Sequence, residues 1–170
     1  MERSHQSERP NLPGMLMKFE AEGPRGLYFE EFEVGTTLRT RGRTITEADL
    51  VQFAALTGDY NPMHTDAEYS RDSFMGQRVA HGMLTISYAV GQAYQLGILE
   101  RTVLGFRGLE MKFSSPVYIG DTIHAELTVS ETKAARRLGG GVVTLDIRIL
   151  KQDGAVAQKG SLSLLMMSKP

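Results

Sequence analysis

The chain contains no cysteine. That excludes disulfides, thiolate metal sites and a cysteine nucleophile, and it permits a reducing compartment. Net charge is also nearly absent. A formal −1 over 170 residues gives no general attraction to nucleic acid or to an anionic membrane. The stretch Met1 to Pro10 lacks the apolar core of a signal peptide. No charged residue occurs between Val79 and Leu99, a length that raises the question of a membrane span. That stretch, however, holds His81, Thr85, Ser87, Gln92, Gln95 and three glycines, and its only basic flanks are Arg78 and Arg101. A span shows a more continuous apolar run, so a helix buried by its own protein is expected. The expectation is a cytoplasmic protein with neither a membrane nor a nucleic-acid partner.

What is there fits one domain. With 41% hydrophobic and 23% charged residues, the chain is long enough to bury a core. Residues 1–26 are polar and punctuated by Pro10, Pro13, Gly14, Gly23, Pro24 and Gly26, which predicts a flexible N-terminal arm. Residues 27–170 form the domain. A strand is expected around Thr37 to Ile45, with Arg39, Arg41 and Arg43 on one solvated face. Thr46 and Asp49 read as a capping box that opens a helix, and Gly58 as the residue that closes it. Leu50, Phe53, Ala54 and Thr57 share its inner face. A short helical piece follows near Ala67 to Ser73.

Gly82 to Gly97 reads as the long helix, about 24 Å at 1.5 Å per residue. Its expected apolar stripe is Met83, Ile86, Val90 and Ala93. The C-terminal half alternates with a period of two: Leu109, Met111, Phe113; then Ile123, Ala125, Leu127, Val129; then Val143, Leu145, Ile147, Ile149; then Leu162, Leu164, Met166. Each run predicts an antiparallel strand with one face on a core. Turns are expected at Gly120-Asp121, Gly139-Gly140-Gly141 and Asp153-Gly154. A long helix wrapped by such strands is an α+β architecture.

The chemistry concentrates in Asp59-Tyr60-Asn61-Pro62-Met63-His64. An acid and an imidazole lie on either side of an Asn-Pro step, and the residue before proline is held extended. The turn can bring both side chains to one water, one group removing a proton and the other supplying one. The competing reading is ordinary turn chemistry, with Asx side chains bonding their own backbone. His81-Gly82-Met83 comes next. If Gly82 opens the helix, its N–H has no intrahelical acceptor and can polarise a thioester carbonyl as in an oxyanion hole. Glycine allows close approach of a ligand. His81 reads as a hydrogen-bonded structural residue and His124 as a surface one. The four histidines are not closely spaced, so no metal site is expected. Arg136 and Arg137, beside the three glycines, read as part of a hairpin loop.

The stretch Phe53-Ala-Ala-Leu-Thr-Gly-Asp-Tyr-Asn-Pro-Met-His64, then Val79-Ala-His-Gly-Met-Leu84, Phe113-Ser-Ser-Pro-Val117 and Gly120-Asp121, resembles the MaoC-like dehydratases, the R-specific enoyl-CoA hydratases of the hot-dog fold. The resemblance runs from about residue 28 to the end. It implies a long central helix in a curled antiparallel sheet, paired as a homodimer or a larger assembly of dimers. It implies that Asp59 and His64 hold or activate the water that adds across a trans-2-enoyl-CoA double bond, and that the Gly82 N–H binds the thioester oxygen. The product is then an (R)-3-hydroxyacyl-CoA. Coenzyme A is part of the substrate, so no bound cofactor is expected. Asn61 is expected to position the loop, and Met83, Ile86 and Val90 to contact substrate. Some family members carry a serine at the position aligned with Val90; here Ser87 lies a turn earlier. A hot-dog acyl-CoA thioesterase and a non-catalytic acyl-CoA-binding protein are the alternatives, because fold does not settle function.

Overall fold

The computed structural model describes residues 26–170; the arm expected over 1–26 lies, apart from Gly26, outside them. Six strands form one antiparallel sheet: β1 (Thr37–Arg39), β2 (Arg43–Thr44), β3 (Val103–Phe113), β4 (Thr122–Ala135), β5 (Gly140–Lys151) and β6 (Val156–Met167). Their order is β1-β4-β5-β6-β3, with β2 also on β4. The helices are α1 (Glu47–Thr57), α2 (Pro62–Thr65), α3 (Ala67–Arg71) and α4 (Gly82–Gln95). This is the expected α+β arrangement, a long helix against a curled sheet that does not close.

The alternation of the strands explains the core. Ile123, Ala125, Leu127 and Val129 of β4, Val143, Leu145, Ile147 and Ile149 of β5, and Leu162, Leu164 and Met166 of β6 all face inward and are buried. Leu84, Ile86, Ala89 and Ala93 of α4 join the same cluster. The polar members between them, such as Thr128, Asp146 and Arg148, face the other side, as the two-residue period requires.

Three details differ from the sequence reading. The strand expected over 37–45 is split at residues 40–42, where the Thr40 hydroxyl turns to accept the Ala125 N–H at 2.9 Å. The buried face of α4 is rotated from the expected stripe: Met83 is 53% exposed, while Thr85 and Gln92 are buried. The helix is therefore covered by the sheet on one side only, with Met83, Ser87, Gly91 and Tyr94 exposed. Finally, β3 is largely exposed along its length, because it is the sheet's last strand and, among the described residues, has only β6 as a strand neighbour.

The helix signals around the site form as read. The Thr46 hydroxyl accepts the Asp49 N–H, and the Asp49 carboxylate accepts the Thr46 N–H at 2.7 Å. Gly58 closes α1 in the left-handed region at φ 79°, which a side chain would disfavour.

Candidate active site

The loop between α1 and α2 sets the first two candidate groups. Asn61 is extended, and its Oδ1 accepts the Met63 N–H, capping α2 with Pro62 in the first helical turn. Asp59 Oδ1 accepts the Asn61 N–H at 3.3 Å, and the Asp59 side chain is exposed. One turn of α2 carries His64 inward, where it is buried. Its Nδ1–H donates to the Val79 carbonyl at 2.8 Å; a carbonyl only accepts, so the proton sits on Nδ1 and Nε2 keeps its lone pair. Burial lowers the proton affinity of His64, and His81 nearby lowers it further. The Val79 bond and the Asp59 charge pull the other way without cancelling that effect.

The segment entering α4 brings the remaining groups. Val79 N–H bonds the Met63 carbonyl and Ala80 N–H the Val117 carbonyl, which fixes 79–81 between α2 and the strand region. His81 follows as the residue before α4, 2% exposed. Its ring stacks on His64, with centroids 3.8 Å apart. Its Nε2–H donates to the backbone carbonyl of Asp59 at 3.0 Å.

A carboxylate oxygen of Asp59 and one ring nitrogen each from His64 and His81 lie within 4.8 Å of one another. Proximity of this kind raises the question of a metal. A ligating imidazole holds the ion in its own plane, and these two planes are stacked and only 28° apart. They do not converge on one ion. A separation of up to 4.8 Å does match the span of one water making two hydrogen bonds of about 2.8 Å.

Beside this group opens a cavity of about 450 Å³. Met63, Met75, Met83, Val79, Phe113 and Val117 supply much of its apolar wall, and His64, Thr85 and Gln158 its polar points. Gly82 lies on the wall as the first residue of α4, so its N–H stands outside the intrahelical ladder and at the positive end of the helix dipole. A Cβ built there would meet Cε1 of Phe113 at 2.4 Å. Glycine is therefore what lets the β3 ring close over the helix start.

Of the expected substrate contacts, Met83 lines the cavity, whereas Ile86 is buried in the core and Val90 is half-buried away from the cavity wall. The Ser87 hydroxyl bonds back to the Met83 carbonyl on the exposed face. Two residues escaped the sequence reading. Gln158 of β6 is the register partner of Phe113, and its Nε2–H₂ donates to the Gly82 carbonyl at 3.1 Å and to the Thr85 hydroxyl at 2.5 Å. Thr85 in turn donates to the Gly82 carbonyl. No local pattern joins a helix start to a strand some seventy residues on; only the sheet register does.

Comparison with known proteins follows the same outline. Residues 30–148 match the family described as "MaoC like domain". Protein MaoC of Klebsiella aerogenes is 44% identical over 102 residues, 59% of this chain and 30% of that protein, so the chain spans under a third of its length. The (R)-specific enoyl-CoA hydratase of Aeromonas caviae is 32% identical over 131 residues, 77% of this chain and 92% of the relative. Among solved structures, the monoamine oxidase regulatory protein from Archaeoglobus fulgius superposes with a TM-score of 0.80 at 35% identity, covering 85% of this chain and 97% of that one. Among the described residues, no helix is long and apolar enough to cross a membrane.

Proposed function

The chain belongs to the MaoC-like domain family, and on that premise we propose that it is a hydro-lyase interconverting trans-2-enoyl-CoA and (R)-3-hydroxyacyl-CoA in the cytoplasm. The observation that carries this reading is the placement of Asp59 and His64 one water's span apart, beside an apolar cavity that also meets the free N–H of Gly82. The relative named an (R)-specific enoyl-CoA hydratase, matched over 92% of its length, supports the same reaction and the R configuration.

The roles follow from the chemistry of the groups. The acyl chain lies against Met63, Met75, Met83 and Phe113. The thioester oxygen takes the Gly82 N–H, which withdraws electrons from the double bond and stabilises the enolate that forms. A water rests between the Asp59 carboxylate and His64 Nε2. As its oxygen bonds to C3, one of the pair removes its proton, and a proton is returned to C2; the sum is the addition of one water. Asn61 keeps the loop in register. Coenzyme A is carried by the substrate, and no metal or resident cofactor takes part. A second copy of the chain is the expected macromolecular partner.

The test is the loss of enoyl-thioester absorbance on mixing the protein with crotonyl-CoA, alongside the Asp59→Asn variant. Rapid loss in the native protein, slowed on the order of 10² to 10⁴-fold in the variant, is the expected result. Chiral analysis of the product checks the R assignment. Release of free thiol instead would make the protein a thioesterase, and ligand-dependent thermal stabilisation without turnover would make it a binding protein.

A further inference from the structure

We infer that His81 is a positioning residue that ties Asp59 and His64 into one rigid unit, through its Nε2–H bond to the Asp59 carbonyl and its ring face against His64. The inference rests on the hydratase reading and adds a residue to its machinery.

These contacts are unusual for a merely structural histidine. One face of the ring lies on His64 at 3.8 Å between centroids. Phe53 of α1 packs at 5.1 Å, tilted by 54°. The Nε2–H reaches across to the main chain of Asp59, twenty-two residues away in sequence. By contrast, the Nδ1 atom is buried with no hydrogen-bond partner. A buried nitrogen without a partner carries a cost, and an apolar side chain of similar shape would avoid it. The imidazole is thus a poor choice for packing alone and a good one for holding Asp59.

The geometry explains why such a tie is needed. Asp59 is exposed and lies between α1 and α2, outside every regular element. Its side chain's one contact in the loop is with the Asn61 N–H, itself at 3.3 Å. Its backbone N–H donates to the Thr57 hydroxyl at 3.2 Å. The carbonyl bond from His81 is shorter than both and comes from a buried, helix-anchored residue. A misplacement of about 1 Å in such a loop is enough to lower a rate by roughly 100-fold.

Three variants separate the two contacts. His81→Phe keeps a ring on His64 and removes the donor. His81→Gln keeps a donor where Nε2 stood and removes the ring. His81→Asn is too short to reach the Asp59 carbonyl. Each is measured for kcat and KM on crotonyl-CoA, and for amide hydrogen exchange across residues 59–64. The expected result is a fall in kcat of roughly 100-fold in His81→Phe and His81→Asn, with KM changed by less than about threefold. His81→Gln should recover at least about a tenth of the native kcat, and the faster exchange of residues 59–64 should return towards native in that variant alone. Native kcat in His81→Phe, or His81→Gln as impaired as His81→Asn, or a change confined to KM, would overturn the inference. If His81→Phe does not fold, the Gln and Asn pair still decides. If the native protein hydrates no enoyl-CoA, the hydratase reading fails by itself, and the exchange data alone then support or reject the tie.

Discussion

His64 is the residue whose protonation the fold visibly biases. Burial holds its conjugate acid below the ordinary imidazole value of 6.5, since a charged ring loses more than a neutral one on leaving water. If its free nitrogen serves as the base, activity requires the neutral ring. The acid limb of the kcat/KM profile should therefore lie below pH 6.5, and a limb above that value would exclude His64 as the base. The stability sign agrees. Above pH 6.5 the ring is neutral in both states and contributes no pH dependence. As pH falls through the unfolded and then the folded value, the unfolded chain binds the extra proton first, so stability declines. Asp49 shows the opposite balance. Burial alone would raise its pKa, but hydrogen bonds from Tyr88, Thr46 and Arg43 outweigh it and bring the value from 3.8 down to about 2. That contribution is present above pH 3.8 and disappears as pH falls through about 2. At about 1.4 kcal/mol per unit it amounts to about 2 kcal/mol. Asp49→Asn should lower Tm by roughly 4–8 °C at pH 7, with the difference from native narrowing in acid, as thermal melts across pH would show.

Elements place the candidate groups, and the start of α4 is the clearest case. Gly82→Ala puts a methyl where Phe113 now lies. The Phe113 ring is 60% exposed and free to swing outward, so the cost to folding should be small while the cavity wall deforms. The expected outcome is a nearly native melting temperature with a large loss of kcat/KM, and partial recovery of kcat/KM in the Gly82→Ala/Phe113→Ala double variant. No recovery would mean that the methyl acts on the substrate directly. The same helix shows what the sequence could and could not tell. Strands β4, β5 and β6 were legible because each buries alternate apolar side chains over most of its length, the exceptions being the paired burials at Ile149-Leu150 and Ala157-Gln158. The buried face of α4 was misread because two of its members are polar. Thr85 is satisfied by Gln158 and Gly82, and Gln92 donates its amide N–H to the Arg41 carbonyl at 2.6 Å while its Oε1 stays without a partner. Apolar spacing cannot see a buried amide whose partner lies on another element. The Asp59–Asn61–His64 loop was legible because Asn-Pro geometry is local. The His81 contacts were not, since they join the helix start to a loop more than twenty residues earlier.

At the scale of the molecule, β3 is the edge that invites a partner. It is the sheet's terminal strand, eleven residues long, and it exposes Val103, Leu104, Phe106, Leu109 and Phe113. An edge this long and apolar is a template for another strand. It has no proline, and its charges, Arg107, Glu110 and Lys112, and its two register irregularities, at 103–105 and 106–108, leave the apolar side chains exposed. Its sequence alternation led to the expectation of a half-buried strand, and a second copy pairing β3 with β3 would meet that expectation without altering the fold. The match is antiparallel and self-complementary, as a two-fold interface must be, and a stable one buries about 800 Å² per partner. Phe113 stands at the end of this edge and also on the cavity wall, so a β3–β3 pairing would couple assembly to the site. Light scattering on the purified protein should therefore give twice the chain mass of 18.8 kDa or a multiple of it. Leu104→Asp with Phe106→Asp, both remote from the cavity wall, should shift the mass to that of one chain and lower the hydratase rate together. A native protein that is monomeric at micromolar concentration would leave β3 as a surface for some other strand, and a dimer that survives the double substitution would place the interface elsewhere.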